Sequence, residues 1–414
     1  MKKILVLTLC VISSLFATQI HAAISVSEAY QKLSALGFEN LKIKQQGNTT
    51  YIALEDNVYR GTYRGLGVAL QQLSPSEDNR ANADTIILFA LEQQMPRLTL
   101  TAIHNTHDQW SVNAEYGASK DYQKLNREKR RDSSLGKVDF VIHPEIMIDS
   151  LFHDNNGMIA LGIAPAIEVG FWKGAKLTAQ VIIPIWNNID VDDANDKIRP
   201  GIITLSQKLM SNQWADITAT AGIFRVDASR FATNQQGLDL KAIGHINNRL
   251  DVGIEVGYTG AMYLEGSKWK FDKWDNLNVL GNISYYEPLI NCQFNLRGGQ
   301  FVYGDKGVRF DAVRRLAEFS VGCYGTYADK EKGMGLTCSI PFGLKKKLKH
   351  NAVRISLPES IVWNYCLQNE TKPFIQNKCG VVYSTTTDGR YSNNYWNPEY
   401  VAKYVQKFVN NQIE

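Results

Sequence analysis

Residues 274–341 constrain the fold most, because apolar side chains there alternate with polar or small ones through one segment after another. Leu277, Val279, Gly281, Ile283 and Tyr285 fall on one side, with Asn278, Asn282 and Ser284 on the other. Ile290, Cys292, Phe294 and Leu296 then oppose Asn291, Gln293, Asn295 and Arg297. After the GDKG turn at 304–307, Val308, Phe310 and Ala312 oppose Arg309 and Asp311. Phe319, Val321 and Cys323 follow, and Met334, Leu336, Cys338 and Ile340 close the series. Side chains in a strand alternate with period two, so each segment predicts a strand with one apolar and one polar face. A soluble sandwich shares that pattern. Strand length, tight turns and the leader described below favour a transmembrane β-barrel.

The same alternation runs upstream. Val138, Phe140, Ile142, Ile146 and Ile148 oppose Lys137, Asp139, His143 and Glu145. Two strands flanking 170–174 read as a hairpin, with Lys176, Thr178 and Gln180 on the polar side. In the strand beginning at Leu250, Val252, Ile254, Val256 and Tyr258 oppose Asp251, Gly253, Glu255 and Gly257. Glycines on a polar face allow close approach of another chain segment. Counting segments 96–104 and 110–117 as its first strands, the barrel spans 95–358 with about 12 to 14 antiparallel strands.

Lys2 and Lys3, the apolar run 4–16 and the Ile20-His21-Ala22 motif predict a signal peptide over 1–22. Residues 23–92 read as a small α+β periplasmic domain. Ser25 and Glu28 form a capping-box pattern, and Gly37 ends the helix that follows. Its charged groups Glu39, Glu55, Asp56 and Arg60 read as solvated surface. Residues 359–414 form a polar tail ending in a helix, capped by Asn397 and carrying Val401, Tyr404, Val405 and Phe408 on one stripe.

The formal charge of +4 falls to +2 once Lys2 and Lys3 leave, which gives no basis for a nucleic-acid partner. No apolar run approaches the length of a transmembrane helix. A mean hydropathy of -0.24 is compatible with a barrel, which presents only alternate residues to lipid. The 19 Tyr and 8 Trp supply material for aromatic girdles. Of the cysteines beyond the leader, Cys292, Cys323 and Cys338 lie on apolar faces, whereas Cys366 and Cys379 enclose a short polar segment and are the better disulfide candidates.

No metal or other cofactor is expected. Cysteine and histidine lack zinc spacing, and Asp190, Asp192, Asp193 and Asp196 do not match a calcium loop. His143, His245 and Ser206 form no arrangement that pairs a nucleophile with a base, and no GxSxG element occurs, so the chain reads as a non-enzyme. Candidates for contact with a polysaccharide in the lumen are the inward polar residues Lys176, Gln180, Asp239, Lys241 and Glu255. Asn282, Gln293, Arg297, Arg309 and Asp311 complete that set. The alternative for each is pairing with a neighbour inside a closed barrel.

Several motifs carry a resemblance. Phe38-Glu39-Asn40, the YRGTYRGLGVAL run, GGQFVYGDKG at 298–307 followed by Arg314 and Arg315, Lys332-Gly333, the Ser339-Ile340-Pro341-Phe342 end and Thr387-Asp388-Gly389 are its residues. With them the chain resembles the YjbH/GfcD family of outer-membrane exopolysaccharide and capsule-export proteins, mainly its C-terminal portion. Segment 298–342 is the distinctive part. The resemblance implies an outer-membrane barrel that assists export or surface assembly of an exopolysaccharide or capsule. Its partners would be outer-membrane lipid, polysaccharide and other envelope export components. Familiar members are longer, carry a further barrel-forming half and are often lipoproteins, so an oligomer or a second barrel-forming partner belongs to the expectation. The readings set against it are a structural or small-solute outer-membrane barrel and an outer-membrane hydrolase.

Overall fold

The computed structural model describes residues 25–73, 84–105, 109–149, 158–187, 196–226, 234–265, 268–342, 352–368, 379–387 and 395–412. The leader, the aspartates 190, 192 and 193, and the basic run at 345–349 lie outside the described residues. Mainly β, the chain forms a five-stranded sheet and a 16-stranded, mostly antiparallel one.

The small sheet is built first. Helix α1 (Val26–Leu36) begins where the Ser25 hydroxyl accepts the Glu28 N–H at 3.2 Å, and ends at Gly37, whose φ of 97° a side chain would oppose. Strands β1 (Glu39–Gln46) and β2 (Thr49–Glu55) form an antiparallel pair. Helix α2 (Arg64–Gln72) intervenes before β3 (Asp84–Glu92), which pairs parallel with β2. Strands β4 (Met95–His104) and β5 (Trp110–Tyr116) complete the order β1-β2-β3-β4-β5. One face packs on α1, α2 and α3 (Pro398–Val409) through Leu33, Leu54, Leu70, Leu88, Leu100 and Val401. Tyr51, Phe89 and Leu91 of the other face pack against Leu125, at the end of a 3-10 helix over Lys120–Leu125.

Strands β4 and β5 therefore correct the expectation that segments 96–104 and 110–117 open the large sheet. Leu98, Leu100, Ala102, Trp110 and Val112 are buried in the helix-covered core. Their alternation serves a face covered by helices rather than an exposed apolar one.

The large sheet begins with β6 (Val138–Asp149), β7 (Met158–Val169) and β8 (Ala175–Asn187). It continues through β9 (Arg199–Ser211), β10 (Ala215–Val226), β11 (Asn234–His245) and β12 (Leu250–Glu265). β13 (Lys268–Phe271) extends β12, and β14 (Asn276–Glu287) rejoins the meander. Next come β15 (Cys292–Gln300), β16 (Lys306–Leu316), β17 (Phe319–Ala328) and β18 (Glu331–Pro341). β19 (Val353–Ser356) pairs parallel with β6, and β20 (Ser360–Gln368) pairs antiparallel with β18. The two ends of the sheet path thus adjoin β19 and β20, which only residues 357–359 separate. Residues 360–368, expected to start a polar tail, are a sheet strand because they continue the register along β18.

The faces are inverted relative to a soluble protein. Ile163, Ile185, Leu205, Leu240, Val252 and Ile254 are exposed on one side. Thr178, Gln180, Ser206, Asp239, Asn278 and Asp311 are buried on the other. Exposed aromatics cluster toward both strand ends. Trp172, Trp214, Tyr285 and Phe319 mark one end, and Trp186, Phe271, Trp274 and Tyr327 mark the other.

The five-stranded unit caps the first of these ends. Gly174 N–H donates to Gln93 O (2.9 Å), Ser211 Oγ to Pro96 O (2.8 Å) and Asn248 Nδ2 to Ala114 O (3.3 Å). Helix α3, which joins that unit, adds Lys403 Nζ to Pro288 O (3.0 Å) and Tyr400 Oη to Ala317 O (2.6 Å). Each contact reaches a different hairpin turn of the sheet.

Candidate functional site

The polar inner face and the cap meet in a dense set of ion pairs. The chain needs a tight turn between β2 and α2, which Asp56 supplies by accepting the N–H groups of Val58 (3.0 Å) and Tyr59 (2.9 Å). That turn presents Arg60 to the wall, where it pairs with Glu168 of β7 at 2.6 Å and Glu359 at 3.2 Å. Lys176 and the Thr387 hydroxyl also reach Glu168, at 3.1 and 2.7 Å. Nearby, Arg354 of β19 bridges Asp139 of β6 and Glu39 of β1, each at 2.6 Å, and Lys137 pairs with Glu39 at 2.5 Å. A cavity of about 110 Å³ lies among these groups.

The reading of Glu39, Glu55, Asp56 and Arg60 as solvated surface is overturned. Glu39 is 1% and Glu55 7% exposed, and Arg60 is held between two wall carboxylates. Their partners lie far along the chain, so no local pattern announces the burial. Desolvation pushes the Glu55 carboxyl up despite hydrogen bonds from Asn40 and Gln93. Desolvation likewise pushes Asp56 up to about 6, with Glu359 adding to the rise while the Tyr59 and Val58 N–H groups oppose it.

A stability consequence follows from Asp56. Its unfolded value is about 3.9, so between about pH 4 and pH 6 the folded chain binds a proton that the unfolded chain lacks. Stability from this group therefore rises as pH falls through about 6, and is lost again as pH climbs. Asp56→Asn should be more stable than the wild type near pH 8, and the difference should vanish near pH 4. Urea midpoints at the two pH values check this; an identical difference at both would refute the assignment.

A second cluster joins β4 and β5 to the wall. Arg97 pairs with Asp216, and Lys208 pairs with Glu92. The His245 ring lies between Asp251 (Nδ1, 2.9 Å) and Asp216 (Nε2, 3.1 Å) and stacks on Tyr116 at 3.7 Å. Tyr116 donates to Asp251 at 3.0 Å. Both His245 nitrogens thus face carboxylates, leaving neither for a nucleophile. Sequence spacing alone did not reveal this arrangement, although His245 and Asp251 flank one short turn.

The comparisons add no relative. No family model, curated protein or solved structure matches the chain.

The ten inward candidates lie on the polar side of the sheet, but as separate groups. Lys176 belongs to the Glu168 cluster, and Lys241 stands 4.0 Å from Glu255. Asp239 accepts the Tyr383 hydroxyl at 2.7 Å. Gln293 donates to Ser284 (2.7 Å) and accepts from Arg315 (2.6 Å). Arg309 pairs with Asp311 at 2.8 Å and lies over the Tyr324 ring at 3.9 Å. Gln180 Oε1, Asn282 Oδ1 and Arg297 Nε are buried without a hydrogen-bond partner among the described residues. Asn282 and Arg297 are register partners, and Arg309 follows Arg297 on the next strand.

Sequence reasoning missed what occupies this space. Gly380 N–H donates to Asp305 at 2.7 Å, and β21 (Tyr383–Ser384) pairs with Val226 and Arg225 at the end of β10 away from the cap. Thr385 O then accepts from Thr204 (3.0 Å), and Thr387 reaches Glu168 beside the cap. This segment therefore runs along the polar face from one end of the sheet to the other. Val381 and Tyr383 pack with Phe224 and Val302. A Cβ added at Gly257 would lie 1.9 Å from the Tyr383 hydroxyl, so that inner-face glycine makes room for the segment. Cys366 pairs through its backbone with Gly335, but its side chain lies outside the described residues, so the expected link to Cys379 falls there too.

Proposed function

We propose that the 16-stranded sheet closes into an outer-membrane β-barrel that assists export or surface assembly of an exopolysaccharide, as a non-enzymatic component. The observation carrying the membrane reading is the inverted pair of faces. A continuous exposed apolar face of this size is untenable in water and suits acyl chains, with aromatic ends at the headgroups. Closure is supported by the adjacency of β19 and β20 at the two ends of the sheet path. It is supported further by one small domain reaching five successive hairpin turns, Lys137 just before β6 and Arg354 of β19. In such barrels short turns face the periplasm, so the capped end and its domain are assigned there.

The export reading rests on the resemblance to the YjbH/GfcD family and on a lumen of hydroxyl, amide and mixed ionic groups. Asn282, Arg297 and Gln180 each leave one polar atom unpaired among the described residues, but those atoms are buried, so sugar contact falls to the other groups of the face. The segment containing β21 favours a scaffold over an open conduit, because it fills lumen space. The bound carboxylates on both His245 nitrogens weigh against hydrolysis.

Deletion should impair surface delivery or retention of the polymer while leaving synthesis intact. Polymer is measured in periplasmic, surface and released fractions of a deletion strain. Unchanged amounts in all three would reject the export role and leave a structural or small-solute barrel.

A further inference from the structure

The cap carries a basic face that its own acids do not balance. Lys120, Arg127 and Lys129 are exposed on and beyond the 3-10 helix. Asp121 is already paired with Lys124 at 2.8 Å. Strand β1 lies against the same turn, since Lys42 donates to Leu125 O and Lys44 to Lys124 O, both at 3.3 Å. Arg130 donates to Gln94, and the neighbouring Gln93 carbonyl accepts the N–H of Gly174. The basic face is thereby continuous with the β7–β8 turn, where Lys173 is exposed beside Phe171 (49% exposed) and Trp172 (53%). Burial lowers the Lys42 ammonium, repulsion from Arg130 and Lys173 lowers it further and Glu128 opposes the fall, which places one carboxylate among three cations in the same field.

We infer that this face docks on anionic phospholipid headgroups of the periplasmic leaflet, with Trp172 and Phe171 at the interface and the basic residues beneath them holding phosphates. This rests on the membrane reading above and extends it to a lipid-selective contact. The adjoining aromatics decide between lipid and acidic polymer. Exposed Trp next to Lys at a rim matches an interfacial anchor, which has an apolar layer on one side and charge on the other. An acidic polysaccharide can stack on such rings too, but it gives no reason for them to sit at the rim of the exposed apolar face.

The full-length protein is gel-filtered in neutral detergent doped with equal phosphatidylglycerol and phosphatidylcholine, and the retained lipid is quantified. The wild type should retain phosphatidylglycerol preferentially, by about fivefold for each basic residue engaged, and lose the preference at about 0.5 M salt. The combined variant Lys120→Glu, Arg127→Glu, Lys129→Glu and Lys173→Glu should retain the two lipids equally. These positions are on the surface, and heat-modifiable migration plus insertion into phosphatidylcholine vesicles verifies that the variant folds. Equal enrichment in wild type and variant overturns the proposal. So does salt-sensitive binding of polygalacturonate that the variant loses while its lipid retention is unchanged. Failure of the wild type to insert into any vesicle would remove the membrane reading itself, and the lipid contact with it.

Discussion

Arg354→Ala is expected to destabilise the folded protein by about 3 to 5 kcal/mol, the scale for stranding buried charges by removing one partner. Arg354 is 8% exposed and is the only bridge described here between Asp139 of β6 and Glu39 of β1. Without it, Glu39 keeps Lys137 and the Asn57 amide, while the buried side of Asp139 faces a vacated guanidinium site. The loss also falls where β19 meets β6, so sheet edge and cap should loosen together. Arg249→Ala is the matched control. Its pair with Glu399 at 2.6 Å joins a sheet turn to α3, but the arginine side chain is 46% exposed. Such an exposed pair contributes little, because water screens the charges and two long side chains lose freedom in forming it. Denaturant midpoints in micelles, together with protease sensitivity of residues 25–137, measure both variants. Equal losses would show that the Arg354 cluster is solvated and does not anchor the cap.

The contrast between these arginines explains what could be read in the chain beforehand. Strand faces were legible wherever the alternation is sharp, because it is local: Val252, Ile254 and Tyr258 announce their side without reference to any partner. Helix ends were legible for the same reason, since Ser25, Gly37 and Asn397 act within one turn. Membership of a sheet is not local. Strands β4 and β5 alternate as the larger sheet does, and only the helices over Leu98, Leu100 and Val112 distinguish them. Arg60 meets Glu359, and Glu39 meets Arg354, across separations of about 300 residues that no spacing rule spans. The candidate residues share the polar face of the sheet, as their alternation implies, but Tyr383 and Thr387 were hidden in a polar stretch with little periodicity. Gly257 was the available signal, as an inner glycine beside which another segment could pass.

Arginine at Ile254 should cost about 2 to 4 kcal/mol and sharply reduce folded yield, whereas arginine at Asn282 should be tolerated. Ile254 is 48% exposed on the apolar face, midway along the part of β12 that pairs with β14 (Leu250 to Thr259), while Asn282 lies on the polar face of β14. Val181→Arg should behave like Ile254→Arg, and Gln180→Arg should have a separate, steric cost because Gln180 is packed against Gly201. The decisive quantity is the profile along one face of β12. Lipid makes the penalty depth-dependent, falling to about 0 to 1 kcal/mol near an interface. Leu250→Arg, beside the capped-end turn, should therefore cost much less than Ile254→Arg, with Val252→Arg between them. A protein partner covering the same face would impose a cost set by local packing, with no reason for a smooth fall toward the aromatic end. Folded yield and denaturant midpoints in bilayers of fixed thickness give the profile. A flat profile would remove lipid as the occupant of this face, and thinner bilayers should shift a genuine one so that Val252→Arg approaches the cost of an interfacial position.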